Sequence, residues 1–178
     1  MKYSLFNRSN TQEIVELFLG VFSDSEGESE GQSIGSLVSN LITKTKPEDL
    51  IGFVAIDSDC IVGCIFFSRF SVPNDQVAFI LSPVAISTNV QGTGIGQQLI
   101  TYGLDHLRSK NVNLALTYGD PDFYSLIGFE QISENIVKAP HPLSQPIGWL
   151  AQTLDGKAMM AMQGPTKCVE ALDDPKYW

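Results

Sequence analysis

The sequence is poor in basic residues, and this scarcity excludes a large class of partners. Lysine and arginine together number 11, against 20 aspartates and glutamates, which gives a net charge of −9 at pH 7. A negative field of this size repels phosphate backbones, so we expect no nucleic-acid partner. A small polyanionic ligand would have to be held by local backbone dipoles, because the overall charge opposes its approach.

Long apolar runs are absent as well. No stretch approaches the roughly 18 apolar residues that a membrane span requires, and Met1 to Phe6 lacks the apolar centre of a signal peptide. We therefore expect a cytoplasmic protein without a membrane partner.

Cysteine is scarce, and its spacing excludes the common metal and redox motifs. The three cysteines, Cys60, Cys64 and Cys168, are an odd number and show neither zinc-ligand nor CxxC spacing. We expect reduced thiols and no metal site. Because Cys60 and Cys64 are four residues apart, a strand would place both on one face, and a cysteine nucleophile there is an alternative.

The rest of the composition is typical of a globular protein. Apolar residues make up 43% of the 178 residues and charged residues 17%. This length suits one domain with a core of useful size, so a single domain is expected over residues 1–178.

Apolar residues recur at helical spacing in two neighbouring segments. Asn10 and Glu13 fit a capping box that opens the first helix. Between the two apolar stripes, Ser23 to Gly31 is polar and acidic, and it is predicted to be a loop. The stripes are Ile14, Leu17, Phe18, Val21 and Phe22 in the first segment and Ile34, Leu37, Val38, Leu41 and Ile42 in the second.

β-Branched and aromatic residues predict a sheet after these helices. Leu50 to Ile56 and Cys60 to Phe70 flank the turn-forming Asp57-Ser58-Asp59, which predicts an antiparallel hairpin. The next strand, Val77 to Ile86, contains Pro83, which cannot donate to a ladder, so a gap in the sheet is expected there. The other predicted elements are a strand at Tyr3 to Phe6, a helix at Leu99 to Lys110, a strand at Leu114 to Tyr118, a short helix from Asp120-Pro121 to Gly128, and closing strands at Phe129 to Val137, Trp149 to Leu154 and Ala158 to Met162.

A glycine-rich turn follows the strand that contains Pro83. In Gln91-Gly92-Thr93-Gly94-Ile95-Gly96 the amide N–H groups of the turn and of the next helix would converge, which makes a site for a diphosphate. A P-loop would need Lys and then Ser or Thr after the last glycine, but Gln97 and Gln98 follow. A dinucleotide fingerprint would need GxGxxG in a first βαβ unit, whereas this is GxGxG in mid-chain.

The turn resembles the coenzyme A motif of the GNAT superfamily: Gln or Arg, two residues, Gly, any residue, then Gly or Ala. Upstream, Val84-Ala85-Ile86 is similar to that family's splayed strand, and downstream, Tyr124 to Glu130 is similar to its segment of Tyr, three residues, Gly-Phe-Glu. Gly119-Asp120-Pro121 and Glu30-Gly31 resemble a bacterial, largely uncharacterised subgroup. The resemblance implies an α+β fold with a mixed, mostly antiparallel sheet that is splayed at the cofactor strand and flanked by helices.

The same resemblance implies an acyl-CoA-dependent N-acyltransferase. Acetyl-CoA would be the acyl donor, bound by Val84, Ala85, Ile86, the six residues of the turn and Tyr124. A primary amine of a small molecule or peptide would attack the thioester directly, and Tyr124 would be the general acid. A homodimer is left open.

The general base is missing from its usual place. Many members of the family carry a Glu on the strand before the turn, but Val77 to Ile86 has no acidic residue. Either a water relay serves, or a carboxylate comes from the predicted acidic loop, where Glu26, Glu28 and Glu30 would border the acceptor and Glu30 would be the base. The missing Glu keeps a second function open, a catalytically weak acyl-CoA-binding regulatory module.

Overall fold

The computed structural model describes residues 1–178 and contains a seven-stranded mixed sheet. The strand order is β1-β2-β3-β4-β5-β7-β6. β1 with β2, β5 with β7 and β6 with β7 pair antiparallel, whereas β4 with β5 pairs parallel. The predicted mixed sheet is therefore confirmed. The strands are β1 (Lys2–Leu5), β2 (Leu50–Asp57), β3 (Cys60–Phe70), β4 (Ala78–Ile86), β5 (Leu114–Tyr118), β6 (Glu130–Gln131) and β7 (Trp149–Thr153).

Four α-helices flank the sheet, α1 (Thr11–Glu26), α2 (Glu28–Lys44), α3 (Ile95–Ser109) and α4 (Pro121–Ser125). None of them has both the length and the apolar character of a membrane span. The chain divides into two compact units. The first unit comprises residues 1–67 and 83–103, and the second comprises residues 68–82 and 104–178. This division does not test the expectation of a single domain, which stays a prediction.

Aromatic side chains form the core of the first unit. Phe18 of α1 stacks on Phe66 of β3 with ring centroids 6.1 Å apart, and Phe53 and Phe67 meet edge to face at 6.1 Å. A β-carbon at position 103 would lie only 2.7 Å from the Phe67 ring. Gly103 therefore allows α3 to lie directly against these rings, which fixes the helix that follows the glycine turn.

The prediction of a loop from Ser23 to Gly31 is wrong, because α1 and α2 follow each other almost without interruption. Only Gly27, with φ 99°, separates the two helices. Close packing explains the difference: a β-carbon at position 31 would lie 2.0 Å from the Ser23 hydroxyl and 2.6 Å from the Leu19 carbonyl oxygen. Contact between the two helices thus continues to their junction and keeps this polar segment helical.

The predicted capping box at the start of α1 is also wrong, because its side-chain hydrogen bonds differ from those of a capping box. Asn10 is the N-cap residue, but its side chain makes no capping hydrogen bond. Its amide donates instead to the Glu13 carboxylate at 3.4 Å, and the other oxygen of Glu13 accepts the Ile61 N–H at 3.2 Å. Glu13 therefore connects α1 to β3, a long-range partner that the local pattern could not indicate.

The second unit contains the last part of the chain, where the strand predictions were partly wrong. Trp149 to Leu154 is confirmed as β7, but the strand expected at 129–137 is reduced to Glu130–Gln131, and none forms at 158–162. The chain turns at Ser133, whose carbonyl accepts the Ile136 N–H at 2.9 Å. Residues 158–162 reach the rest of the unit through one backbone bond, from Met162 N–H to the Ile136 carbonyl at 2.7 Å.

Candidate active site

The parallel pairing of β4 with β5 covers only the beginning of β4. It runs from Ala78 opposite Leu114 to Leu81 opposite Thr117, and it stops before Pro83. The interruption that Pro83 predicts is therefore confirmed, because its nitrogen carries no hydrogen to donate. The next three residues of β4, Val84 to Ile86, lie outside this pairing.

The backbone of the glycine turn is open to solvent. Gly92 has φ 74° and Gly94 has φ 83°, values in the left-handed region that favours glycine. A β-carbon at position 92 would meet no atom within 4 Å, and one at position 94 would meet only the Gln98 amide nitrogen at 3.8 Å. A ligand can therefore approach the peptide groups of the turn directly.

The amino end of α3 adds free hydrogen-bond donors to this turn. α3 begins at Ile95, and the Gln98 N–H bonds to the Gly94 carbonyl at 3.1 Å. The N–H groups of Ile95, Gly96 and Gln97 precede this bond, where a helix has no carbonyl to offer them. With the positive end of the helix dipole, they suit an anionic group such as a diphosphate.

Side-chain hydrogen bonds stabilise the glycine turn and the segment before it. The Gln91 amide donates to the Ile86 carbonyl at 2.8 Å, and the Thr93 hydroxyl donates to the Val90 carbonyl at 2.7 Å. The hydroxyl of Thr88 donates to the Asp24 carboxylate at 2.8 Å, which ties the end of α1 to the segment before the turn. Gln91 and Thr93 thus use their side chains to hold the turn, and their predicted role in binding the cofactor stays a prediction. The sequence carried no signal for Asp24.

Tyr124 lies in the second unit, on α4. The Asp120 side chain caps this helix by accepting the Asp122 N–H at 2.9 Å, which confirms the predicted N-cap. Burial of the phenol raises the pKa of Tyr124 above its ordinary value of 10, a hydrogen bond with Thr117 acts against that shift, and the charge of Asp120 adds to it. The residue as a whole is half-buried. Tyr124 is therefore protonated at neutral pH.

The ring of Tyr124 is held on several sides. Phe129 meets it edge to face at 5.7 Å and Phe123 does so at 5.0 Å. Behind it, a β-carbon at position 119 would lie 2.8 Å from the ring, so Gly119 leaves the space that the ring occupies. The hydroxyl of Thr117 donates to the Leu81 carbonyl at 3.1 Å. Thr117 was missed by the sequence reasoning, because nothing in the local pattern separates it from a core strand residue.

The other candidate site residues are the three glutamates near the junction of α1 and α2, and the cysteines. Glu26 and Glu28 are exposed and Glu30 is half-buried, next to the junction of α1 and α2. Cys64 is fully buried, and this burial raises the pKa of its thiol well above the ordinary value, so it is a poor nucleophile. All three cysteines are free thiols, as expected. The structure contains no group of three or more His, Cys, Asp or Glu side chains able to hold a metal ion.

Comparison with protein families identifies the segment that contains both the turn and Tyr124. Residues 48–131 match the family model described as an acetyltransferase (GNAT) domain. Residues 48–131 therefore have the sequence of a GNAT acetyltransferase domain. The family and the enzyme class that the resemblance implied are confirmed for this segment. The matched segment of this GNAT domain runs from the residues just before β2 to β6.

Relatives and solved structures agree with the GNAT assignment. The chain is 28% identical over 122 residues to YhbS of Escherichia coli K12, an uncharacterized N-acetyltransferase, and this covers 67% of the chain and 71% of the relative. A crystal structure of YhbS from Escherichia coli in complex with CoA has a TM-score of 0.82 and 22% identity, with 97% of this chain and 92% of that one covered. A GNAT acetyltransferase from Brucella melitensis in complex with acetyl-CoA has a TM-score of 0.76, 22% identity and 97% coverage of both chains. These two structures confirm the fold of this chain.

Proposed function

We propose that this protein transfers an acetyl group from acetyl-CoA to a primary amine of a small molecule or peptide. The observation that carries the proposal is the open glycine turn at the start of α3, where Gly92 and Gly94 leave the backbone uncovered. Two structural neighbours were solved with CoA or acetyl-CoA bound. Acetyl-CoA supplies the acetyl thioester and the thiol leaving group.

The turn would hold the diphosphate, and β4 would hold the pantetheine arm. The protein has a net charge of −9, so the donor's negative charge must be met locally. The free N–H groups of Ile95, Gly96 and Gln97 provide that local interaction. Val84 to Ile86 lie beyond the pairing with β5, and their backbone groups suit an extended amide chain lying beside them. Proximity and orientation of the two substrates would be the main contribution to catalysis.

Gly94→Asp tests the binding site. The substitution places a carboxylate where the diphosphate would lie, and we expect the Kd for acetyl-CoA, measured by calorimetry, to rise at least about tenfold through charge repulsion and strain. Gly156→Asp is the matched control, because Gly156 has φ 74° and no atom within 4 Å of its β-carbon position, yet it lies in a different turn. Equal affinity of both variants for acetyl-CoA would show that the turn is not the site.

Tyr124 is our candidate for the general acid. Attack by the amine breaks the thioester bond and releases coenzyme A as a thiolate, and the phenol would donate its proton to this sulfur to give the free thiol. The hydrogen bond with Thr117 lowers the pKa of Tyr124 against the effect of burial, which would make this proton transfer easier.

Tyr124→Phe tests this role. The variant keeps the ring and its contacts with Phe123 and Phe129 but loses the proton, so we expect kcat to fall by roughly 10²-fold with the Kd for acetyl-CoA unchanged. Tyr102→Phe is the control, since Tyr102 is 40% exposed and packs on Phe53 of the first unit. An unchanged kcat in Tyr124→Phe, measured where chemistry limits the rate, would return Tyr124 to a packing role.

The regulatory module remains the second candidate, because β4 carries no acidic side chain to serve as base. Release of free thiol from acetyl-CoA, measured with a panel of primary amines, separates the two functions. Turnover with any amine supports the enzyme. Tight binding of acetyl-CoA without amine-dependent thiol release by the wild-type protein would support the module. Glu30 is retained as the proposed base, with a water relay as the alternative.

A further inference from the structure

A cavity of about 410 Å³ lies at the carboxyl end of β5, wholly within the second unit. Its walls come from the connection between β5 and α4 on one side and from a segment near β7 on the other. A volume of this size suits a small molecule. The residues that matter for its chemistry are Tyr118, Gly119, Asp120, Ser144, Gln145 and Gly148.

Backbone contacts give this cavity a defined shape. The Gly119 N–H donates to the Gly148 carbonyl at 2.9 Å, and the Gly148 N–H donates to the Gln145 carbonyl at 2.8 Å. A β-carbon at position 148 would lie 2.8 Å from the Gly119 carbonyl oxygen, so the two walls are in close contact there. The Tyr118 hydroxyl accepts the Gln145 N–H at 2.7 Å and bonds to the Ser144 hydroxyl at 2.9 Å. The cavity is therefore preformed, without a ligand to order it.

The polar lining of the cavity suits a cation. Asp120 is the single charged residue in the lining. One of its oxygens caps α4 by accepting the Asp122 N–H, and a carboxylate has further acceptor sites on both oxygens. The Tyr118 hydroxyl already receives one N–H. No basic side chain lines the cavity, so no cationic side chain there competes with an ammonium group of a ligand for the carboxylate.

This cavity is adjacent to the proposed general acid. Gly119 lines the cavity, and its position is in direct contact with the Tyr124 ring. The charge of Asp120 also acts on the pKa of Tyr124. A molecule in the cavity would therefore lie close to the residue that we place at the reacting thioester.

We propose that the cavity binds a second, non-reacting ammonium group of the acceptor and that Asp120 determines specificity for it. The substrate class is then small molecules with two amino groups, such as linear diamines. The attacking amine must be neutral, and a carboxylate beside it would hold it protonated. Asp120 is therefore suited to a cation that takes no part in the reaction. This inference rests on the proposed function, because it names the acceptor of that same reaction.

The test compares 1,4-diaminobutane with butylamine, which has one amino group fewer. Asp120→Asn removes the charge but keeps the helix cap, because Asn and Asp cap equally well. Asp122→Asn is the matched control: Asp122 is an exposed carboxylate on the same helix and does not line the cavity. We expect Asp120→Asn to lower the ratio of kcat/KM for the diamine to kcat/KM for butylamine by about fivefold at low salt, and by less as salt rises. Any effect of the lost charge on Tyr124 acts on both amines alike, so it leaves this ratio unchanged. Asp122→Asn should match the wild type with both amines.

Direct binding provides a readout that does not depend on turnover. Titration of the wild-type protein with 1,4-diaminobutane alone, followed by NMR, should give a Kd that rises by about fivefold in Asp120→Asn and stays the same in Asp122→Asn. If the wild type does not bind the diamine, or if Asp120→Asn binds it equally well, the inference is overturned. If Asp120-dependent binding is found but no amine is acetylated, the proposed function fails and the cavity remains a diamine-binding site.

Discussion

Gly119→Ala is the change that tests most directly whether the position of Tyr124 matters. Gly119 does not have a positive φ, so the backbone can accept alanine without strain. The new methyl group would lie 2.8 Å from the Tyr124 ring, whereas ordinary contact begins at 3.4 Å, so the ring must move by the difference, 0.6 Å. Phe123 and Phe129 meet the ring edge to face, and they limit the directions in which it can move.

The magnitude follows from this displacement. A misplacement of about 1 Å can cost roughly 10²-fold in rate, so a shift of this size should lower kcat by about tenfold. Overpacking should also reduce the free energy of unfolding by about 1–3 kcal/mol. The assay measures thiol release at saturating acetyl-CoA and amine, with the Kd for acetyl-CoA and the thermal midpoint recorded on the same samples. We expect the Kd to stay unchanged.

A double-mutant cycle decides whether the effect passes through the hydroxyl of Tyr124. Phenylalanine keeps the steric conflict with alanine at position 119 but has no proton to misplace. Gly119→Ala should therefore still destabilise the Tyr124→Phe protein, while its tenfold effect on kcat largely disappears. An equal loss of kcat in both backgrounds would refute the reasoning and place the effect in the neighbouring cavity instead.

The remaining predictions concern charge and pH. Neutralising Glu26, Glu28 and Glu30 to Gln should raise KM for cationic acceptors at low salt and leave the Kd for acetyl-CoA nearly unchanged; kinetics equal to wild type would show that these side chains are only a solvated surface. Tyr124 is active as an acid in its neutral form, and its pKa is raised above 10, so kcat with butylamine should show no alkaline loss from its ionisation below about pH 10. Removing the charge in Asp120→Asn takes away one cause of that shift, so the alkaline loss should begin at lower pH than in the wild type. A pH profile of kcat that is identical in both proteins would contradict this coupling.

Several features of this protein follow from the sequence alone, because their causes are local. Pro83 lacks an N–H wherever it stands, so it interrupts a ladder in any fold. The spacing of Gly92 and Gly94 requires a turn of unusual backbone geometry, and both glycines do have positive φ. Asp120 before Pro121 predicts a helix start, and the capping bond is present. In each case the residue affects the backbone only within a few positions of itself, so its effect can be predicted without knowing the rest of the fold.

Other features were decided only by the tertiary structure. The segment from Ser23 to Gly31 is polar by composition, but it is helical because α1 and α2 pack closely at Gly31. The partner of Thr88 is Asp24, 64 residues earlier in the chain. The hydroxyl of Tyr118 bonds to Ser144 and Gln145, which lie 26 and 27 positions further along, and all three residues line the cavity next to Asp120. Such pairs cannot be inferred from periodicity, because they depend on which distant segments lie side by side in the fold. The packing of the whole unit determines these neighbours, and local conformational preference does not.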